Sequence, residues 1–158
     1  MPTNAHIAYT AEIPAGPSRI WQVLIDYRVH HPAILPKEIF RGLEVIEGGV
    51  GAGTRFRLTM RMGGKDHVTA ISVTEPTPGS LLVEAADDGS VVTHFILEPI
   101  DGGHATKLTF ATDYTLPGGF LLALQRFVTN NILTGLYRRE MKNLAKYLAE
   151  DRDLKPVG

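Results

Sequence analysis

Residues 117–150 constrain this chain more than any other stretch. They open on Leu116-Pro117-Gly118-Gly119 and run to Ala149-Glu150 without another proline. Stepping back from Leu148 in helical increments gives Leu144, Met141, Tyr137, Leu133 or Thr134, Asn130, Phe127, Ala123 and Phe120. That is one stripe at i, i+3, i+4, i+7 spacing, the mark of an amphipathic helix. Such a helix would run roughly 45–50 Å, about the width of a small domain. Its C-terminal half (Tyr137, Met141, Leu144, Leu148) reads as core. Its middle carries Asn130, Thr134 and Gly135, and polar groups turned inward need partners, water or a ligand. Its first turns (Phe120, Leu121, Leu122, Leu124, Phe127, Val128) are apolar nearly all round, which marks deep burial, a cavity rim or a docking face.

Everything before this helix reads as short strands. Alternation over 6–13 (Ile7, Tyr9, Ala11, Ile13) predicts the first. Pro14-Ala15-Gly16-Pro17 stops it. Ser18 is placed to cap a short helix carrying Ile20, Trp21, Leu24 and Tyr27. His30-His31-Pro32-Ala33-Ile34-Leu35-Pro36 predicts a helical turn or loop. Strands follow over 40–47, 54–62, 66–75, 81–86, 91–98 and 106–115. The separators Gly63-Gly64, Pro76-Thr77-Pro78-Gly79, Asp88-Gly89 and Gly102-Gly103 carry hairpin chemistry. One domain over 1–150 with a frayed tail over 151–158 is the expected organisation.

Tight turns fix which side chains face in. A two-residue turn at Gly63-Gly64 sets Met60 opposite His67, Leu58 opposite Thr69 and Phe56 opposite Ile71. One face is then Phe56, Leu58, Met60, His67, Thr69, Ile71 and Val73; the other carries Arg55, Arg57 and the pair Arg61–Asp66. Pairing across Gly102-Gly103 sets Leu97 opposite Leu108, Phe95 opposite Phe110 and Thr93 opposite Thr112, all inward, with Glu98 opposite Lys107 outside. Pairing across Asp88-Gly89 sets Glu84 opposite Thr93, so Glu84 points inward, unless a bulge exchanges the faces. An inward carboxylate and an inward imidazole must be paired, shifted in pKa or solvated.

Other features exclude functions. The chain has 158 residues, a net charge of −1 and no cysteine. No basic field draws it to nucleic acid or to an anionic membrane. Thiol nucleophiles, disulfides and cysteine-ligated metals are excluded. No signal peptide or transmembrane run is visible, so a cytoplasmic protein without stable membrane insertion is expected. The glycine cluster over 48–53 lacks the Lys-Ser/Thr of a phosphate loop and is followed by a strand. His30-His31 has no metal-binding spacing, so neither metal nor cofactor is expected. The basic residues Arg138, Arg139, Lys142 and Lys146 read as a solvated helix face.

Taken in order, these pieces resemble the START/polyketide-cyclase (SRPBCC) superfamily, whose helix-grip fold is shared with plant pollen-allergen-type lipid binders. The resemblance runs over nearly the whole chain. It rests on Ile13-Pro14-Ala15 through Ile20-Trp21-Gln22-Val23-Leu24-Ile25-Asp26, on Gly49-Val50-Gly51-Ala52-Gly53-Thr54, on Leu97-Glu98-Pro99 with Gly102-Gly103, and on Leu116-Pro117-Gly118-Gly119. It implies an α+β fold: a seven-stranded antiparallel sheet wrapped around the C-terminal helix, two short helices between strands 1 and 2, and a hydrophobic cavity between. The family has no universal catalytic motif, so no catalytic residue carries over. His30-His31-Pro32 departs from the family's commoner apolar or aromatic residue there. In this topology the turns at Gly63-Gly64 and Asp88-Gly89 share an end with residues 116–119. That end is the expected portal, with His67 near it and Glu84 deeper.

Three functions follow as expectations. The first is binding of a hydrophobic or aromatic small molecule, lipid or polyketide. Its lining would be Phe56, Leu58, Met60, His67, Glu84, Thr93, Phe95, Phe110, Thr112, Tyr114, Phe127, Asn130, Thr134 and Tyr137. The second is a cyclase or dehydratase with Glu84 or His67 as general acid/base and Tyr114 or Tyr137 as orienting donor. The third is an interaction module, or homodimer, using the apolar start of the last helix.

Overall fold

The computed structural model describes residues 3–116 and 122–150. The chain runs β1 (Thr3–Ile13), α1 (Pro17–Ile25), α2 (His30–Ile34), β2 (Phe40–Glu47), β3 (Arg55–Met62), β4 (Lys65–Thr77), β5 (Leu81–Ala86), β6 (Val91–Ile100), β7 (Ala105–Leu116) and α3 (Leu122–Glu150). The strands form one antiparallel sheet in the order β1-β7-β6-β5-β4-β3-β2. β1 and β2 are its two edges, and α3 lies against β1, β7, α1 and α2. This is the arrangement the sequence predicts.

The expected registers hold through the sheet. Met60 pairs with His67, Phe56 with Ile71, Glu84 with Thr93 and Phe95 with Phe110. The outward charge pairs form as ion pairs, Arg61–Asp66 at 3.3 Å and Lys107–Glu98 at 3.5 Å. β4 is longer than the sequence predicts and runs through Pro76 to Thr77. The ladder to β5 shifts between Thr74 and Thr77, and such an irregularity is where a strand admits a proline.

The first helix begins two residues earlier than a Ser18 cap predicts. Gly16 is its N-cap and Pro17 its first residue, where proline's fixed φ suits the first turn and its missing N–H is no loss. A Cβ on Gly16 would stand 2.9 Å from the Gly103 carbonyl oxygen, so the cap position admits only glycine without a shift of the β6–β7 turn.

The core fills one half of the space between sheet and helices. Ile20, Leu24, Ile34, Leu82, Leu97, Leu108, Phe110 and Leu144 are all but closed to solvent. On α3, Tyr137, Met141, Leu144 and Leu148 are buried as the stripe predicts. The apolar start of that helix falls largely outside the described side chains. Of that stretch, Val128 is exposed.

The Leu144 side chain has no solvent-facing surface. Leu144→Ala should therefore lower the unfolding free energy by about 2–5 kcal/mol, read from urea or thermal melts. A loss well under that range would mean α3 does not close this end of the core.

Candidate functional site

The other half of the space is not filled. A cavity of about 320 Å³ lies between the sheet and α3. Its walls are mostly apolar: Leu35, Phe40, Leu43, Phe56, Leu58, Met60, Ile71, Phe95, Leu133 and Leu136 among them. Met62, Ser90, Val91, Thr115 and Thr129 border it where β3, β6 and β7 meet the early turns of α3. Met62 and Val91 there are exposed, which makes this end the mouth. It is the portal end that the hairpin turns predict; residues 117–119, also expected there, lie outside the described residues.

The polar groups gather at the opposite, inner end. His31 stands on α2 with its side chain 4% exposed, Glu140 on α3 at 5%, and Glu84 on β5 at 14%. The His31 Nδ1–H donates to the Leu24 carbonyl of α1 at 2.7 Å, which aims Nε2 at the two carboxylates. Nε2 is 3.6 Å from Glu140 Oε1 and 3.9 Å from Glu84 Oε1. The Tyr27 hydroxyl donates to Glu84 Oε1 at 2.8 Å. The Tyr27 ring stacks between His31 and Phe56, with centroids 4.8 and 4.9 Å away.

A loop holds this corner in place. The Tyr27 N–H donates to the Gly49 carbonyl at 2.9 Å and the Gly51 N–H to the Ile25 carbonyl at 2.8 Å. The glycine cluster over 48–53 is thus a clasp on the α1–α2 corner rather than a free hairpin connection. Gly49 has φ +136°, a backbone conformation that strains any L side chain, and a Cβ there would also displace the Arg28 side chain.

Burial and charge set the protonation of the cluster. Burial alone would lower the His31 pKa, but the facing Glu140 carboxylate and the Glu84 charge outweigh it. The Leu24 hydrogen bond adds to them, and the result is a rise from 6.5 to about 8. Burial pushes the Glu84 carboxyl above its ordinary range, against the opposing pull of His31 and Tyr27. Burial, then the Glu84 charge, holds the Tyr27 hydroxyl well above 10. Burial also raises the Tyr137 hydroxyl to about 12.

Further out, Thr93 Oγ1 and Thr112 Oγ1 are 2.9 Å apart and Thr112 bonds the Tyr137 hydroxyl. The Tyr114 hydroxyl donates to Asn130 Oδ1 at 2.5 Å. These groups satisfy one another.

The candidates from sequence divide clearly. Phe56, Leu58, Met60, Glu84, Thr93, Phe95, Thr112, Tyr114 and Tyr137 line the cavity. Phe110 is fully buried behind it, edge-on to Phe95 and Tyr137. Asn130 and Thr134 are half-buried on α3 and off the lining; Asn130 reaches it only through Tyr114. The Phe127 side chain lies outside the described residues. His67 is exposed and off the lining. The reason is register: β5 ends at Ala86, opposite Ile71, so His67 lies four residues beyond the last paired position, roughly 13 Å along an overhanging hairpin.

His31, Glu140 and Tyr27 were missed as site residues. The signal for Glu140 was its place three residues after Tyr137 and four before Leu144, on the buried stripe. For His31 it was the run Leu24, Tyr27, His31, Ile34 at helical spacing. His30 turns the other way, to Asp26 and the Tyr147 hydroxyl. Among the described residues no group of His, Asp and Glu could hold a metal ion, and no helix is long and apolar enough to cross a membrane.

Residues 4–149 match the profile of the family described as polyketide cyclase / dehydrase and lipid transport. No curated protein matches the chain. Among solved structures it resembles the KanY protein in solution (22% identity, TM-score 0.79, covering 93% of this chain and 99% of that one). It also resembles a protein from Thermus thermophilus (19%, 0.74, 92% and 98%). A third is norcoclaurine synthase from Thalictrum flavum (20%, 0.71, 94% and 88%). At these identities the likeness establishes the helix-grip fold.

His31 binds its proton more tightly folded (about 8) than unfolded (6.5). The stability this contributes, about 2 kcal/mol at most, is fully present below about pH 6.5 and lost as pH rises through about 8. Glu84, also raised on folding, loses stability in the same direction from about pH 4.5 upward. Stability should therefore fall as pH rises from about 6.5 to 8.5, and His31→Gln should flatten that fall. An NMR titration of His31 with its midpoint at or below 6.5 would refute the arrangement.

Proposed function

The chain belongs to the polyketide cyclase/dehydrase and lipid transport family, and from that premise we propose that it binds a small, mostly apolar molecule of one or two rings in the cavity beneath α3. The observation that carries this is the cavity itself: about 320 Å³, apolar along its walls and polar at one end. That volume is at the lower end of small-molecule pockets, about 300–1,000 Å³, and equals roughly ten water molecules' share of liquid. A ring system or short chain suits it better than a two-chain lipid. The expected partner is thus a soluble hydrophobic ligand, met in the cytoplasm.

The neutral probe 2-naphthylmethanol should bind with saturable fluorescence change and raise the melting temperature. Ala86→Trp and Leu133→Trp each put an indole into the cavity from opposite walls. The folded variants should lose at least about tenfold in affinity. Undiminished binding by both folded variants would rule the cavity out as the site.

A second reading is favoured by Glu84. It is a carboxyl with a raised pKa, fixed by Tyr27 and facing an apolar space, the description of a general acid/base. His67, the other candidate from sequence, stands outside the cavity. Under this reading the protein eliminates water from an aromatic β-hydroxy ketone. The Glu140 carboxylate, which also lines the cavity, takes the proton from the carbon beside the carbonyl. The carbon–carbon double bond forms as the carbon–oxygen bond breaks, and Glu84 delivers its proton to the departing hydroxyl, which leaves as water. Mass spectrometry should detect loss of water from such a substrate, slowed by about a hundredfold or more in Glu84→Gln. Equal rates with and without protein would leave binding as the only function.

A further inference from the structure

We propose that the inner end of the cavity receives a protonated amine carried on a ring-sized apolar body. This rests on the binding reading above and adds the chemistry of the ligand's polar end.

The argument is a count of donors and acceptors. A carboxylate can accept about four hydrogen bonds. Glu84 Oε1 accepts one, from Tyr27. Neither the other Glu84 oxygen nor either oxygen of Glu140 has a donor within hydrogen-bond length among the described residues. The nearest is His31 Nε2, at 3.6 and 3.9 Å, beyond that length. That one N–H faces both carboxylates, since Nδ1 is taken by Leu24. Glu140 is thus a carboxylate 95% withdrawn from bulk solvent that lines the cavity, its oxygens turned to the cavity space with no protein donor within hydrogen-bond length. Whatever occupies the cavity must meet these acceptors.

The rest of the lining cannot make up the shortfall. Thr93, Thr112 and Tyr137 are bonded among themselves and Tyr114 to Asn130. No lysine or arginine is among the lining residues. The remaining donors come from what occupies the cavity, water or a ligand that displaces it. An ammonium brings three N–H donors and the complementary charge, whereas a hydroxyl brings one donor. A carboxylate brings only acceptors and like charge, with a single imidazolium, already shared, to meet it.

Titration adds a direction. The groups facing the inner end are His31 on α2, Glu84 on β5, Glu140 on α3 and Tyr27 after α1, with Tyr137 of α3 next to them and Tyr114 of β7 nearer the mouth. As pH rises, Glu84 and His31 give up protons, and the cluster becomes more negative. Amine affinity should therefore climb with pH as long as the amine stays protonated, and carboxylate affinity should fall.

The test is calorimetric titration of the full chain with 2-naphthylmethylamine, 2-naphthylmethanol and 2-naphthoate. At about pH 8.5 the amine should bind about tenfold or more tighter than the alcohol, and the naphthoate weakest. The amine's advantage should shrink at about pH 6, and the alcohol should displace the amine competitively. Glu84→Gln, and separately Glu140→Gln, should narrow the gap between amine and alcohol. Equal affinities, or a preference for naphthoate, overturn the inference while the binding reading stands. So does amine that the alcohol cannot displace. If none of the three binds, the inference and the binding reading fail together.

Discussion

One imidazole ties the molecule together. His31 sits where α1, α2, β5 and α3 converge, bonded to a backbone carbonyl on one side and facing carboxylates on the other. A charge taken out of water costs several kcal/mol unless paired, so this corner is stable only while the four elements stay in register. That requirement explains the glycine clasp over 48–53. It fixes Tyr27, and Tyr27 in turn fixes both the His31 ring and the Glu84 carboxylate. The position of α3 over the sheet follows from the same constraint, because Glu140 must reach His31 as Leu144 and Leu148 pack.

The void follows from how α3 meets the sheet. Near its C-terminus the helix presents Met141, Leu144 and Leu148, which fill the space beneath them. Toward its N-terminus the helix turns Tyr137, Leu136, Leu133 and Thr129 to the cavity. On the opposite wall the sheet offers threonines at the paired positions 93 and 112, short side chains that leave the space between sheet and helix open. Thr93, Thr112 and Tyr137 hydrogen-bond one another within the wall, so they shape the cavity with partners of their own. Glu84 and Glu140 are different: beyond the Tyr27 bond to Glu84, no protein donor lies within hydrogen-bond length of their oxygens among the described residues.

Much of this was legible beforehand, and what was not has identifiable causes. Glycine turns fixed the hairpin pairings, and with them the inward aim of Glu84, because a two-residue turn leaves one register. The same logic failed for His67. Inward direction is a property of one hairpin, but cover depends on the neighbouring strand, and β5 stops short at Ala86. Phe110 was assigned to the right face, yet the concave face holds both core and cavity wall, and periodicity does not distinguish them. His31 and Glu140 were hidden by habit of reading: a polar residue on a buried stripe looks like an error of phase. Their pairing crosses more than a hundred residues of sequence, and only the closed fold brings them together.

Binding and reaction would draw on the same groups here in opposite states. A carboxyl that donates a proton must be neutral; one that receives an ammonium must be charged. Burial favours the neutral form of Glu84, and the His31 charge favours the ionised one. In either proposed role the His31 charge would weigh on which form Glu84 takes. With His31 protonated, its charge opposes the burial that holds the Glu84 proton. A cation entering the cavity would tip Glu84 toward its charged form and weaken the hold on the His31 proton. A neutral ketone would leave Glu84 free to keep its proton and spend it on a departing oxygen. The electrostatics of the inner end thus link the identity of the guest to the protonation of the wall, which a purely apolar cavity of the same size could not do.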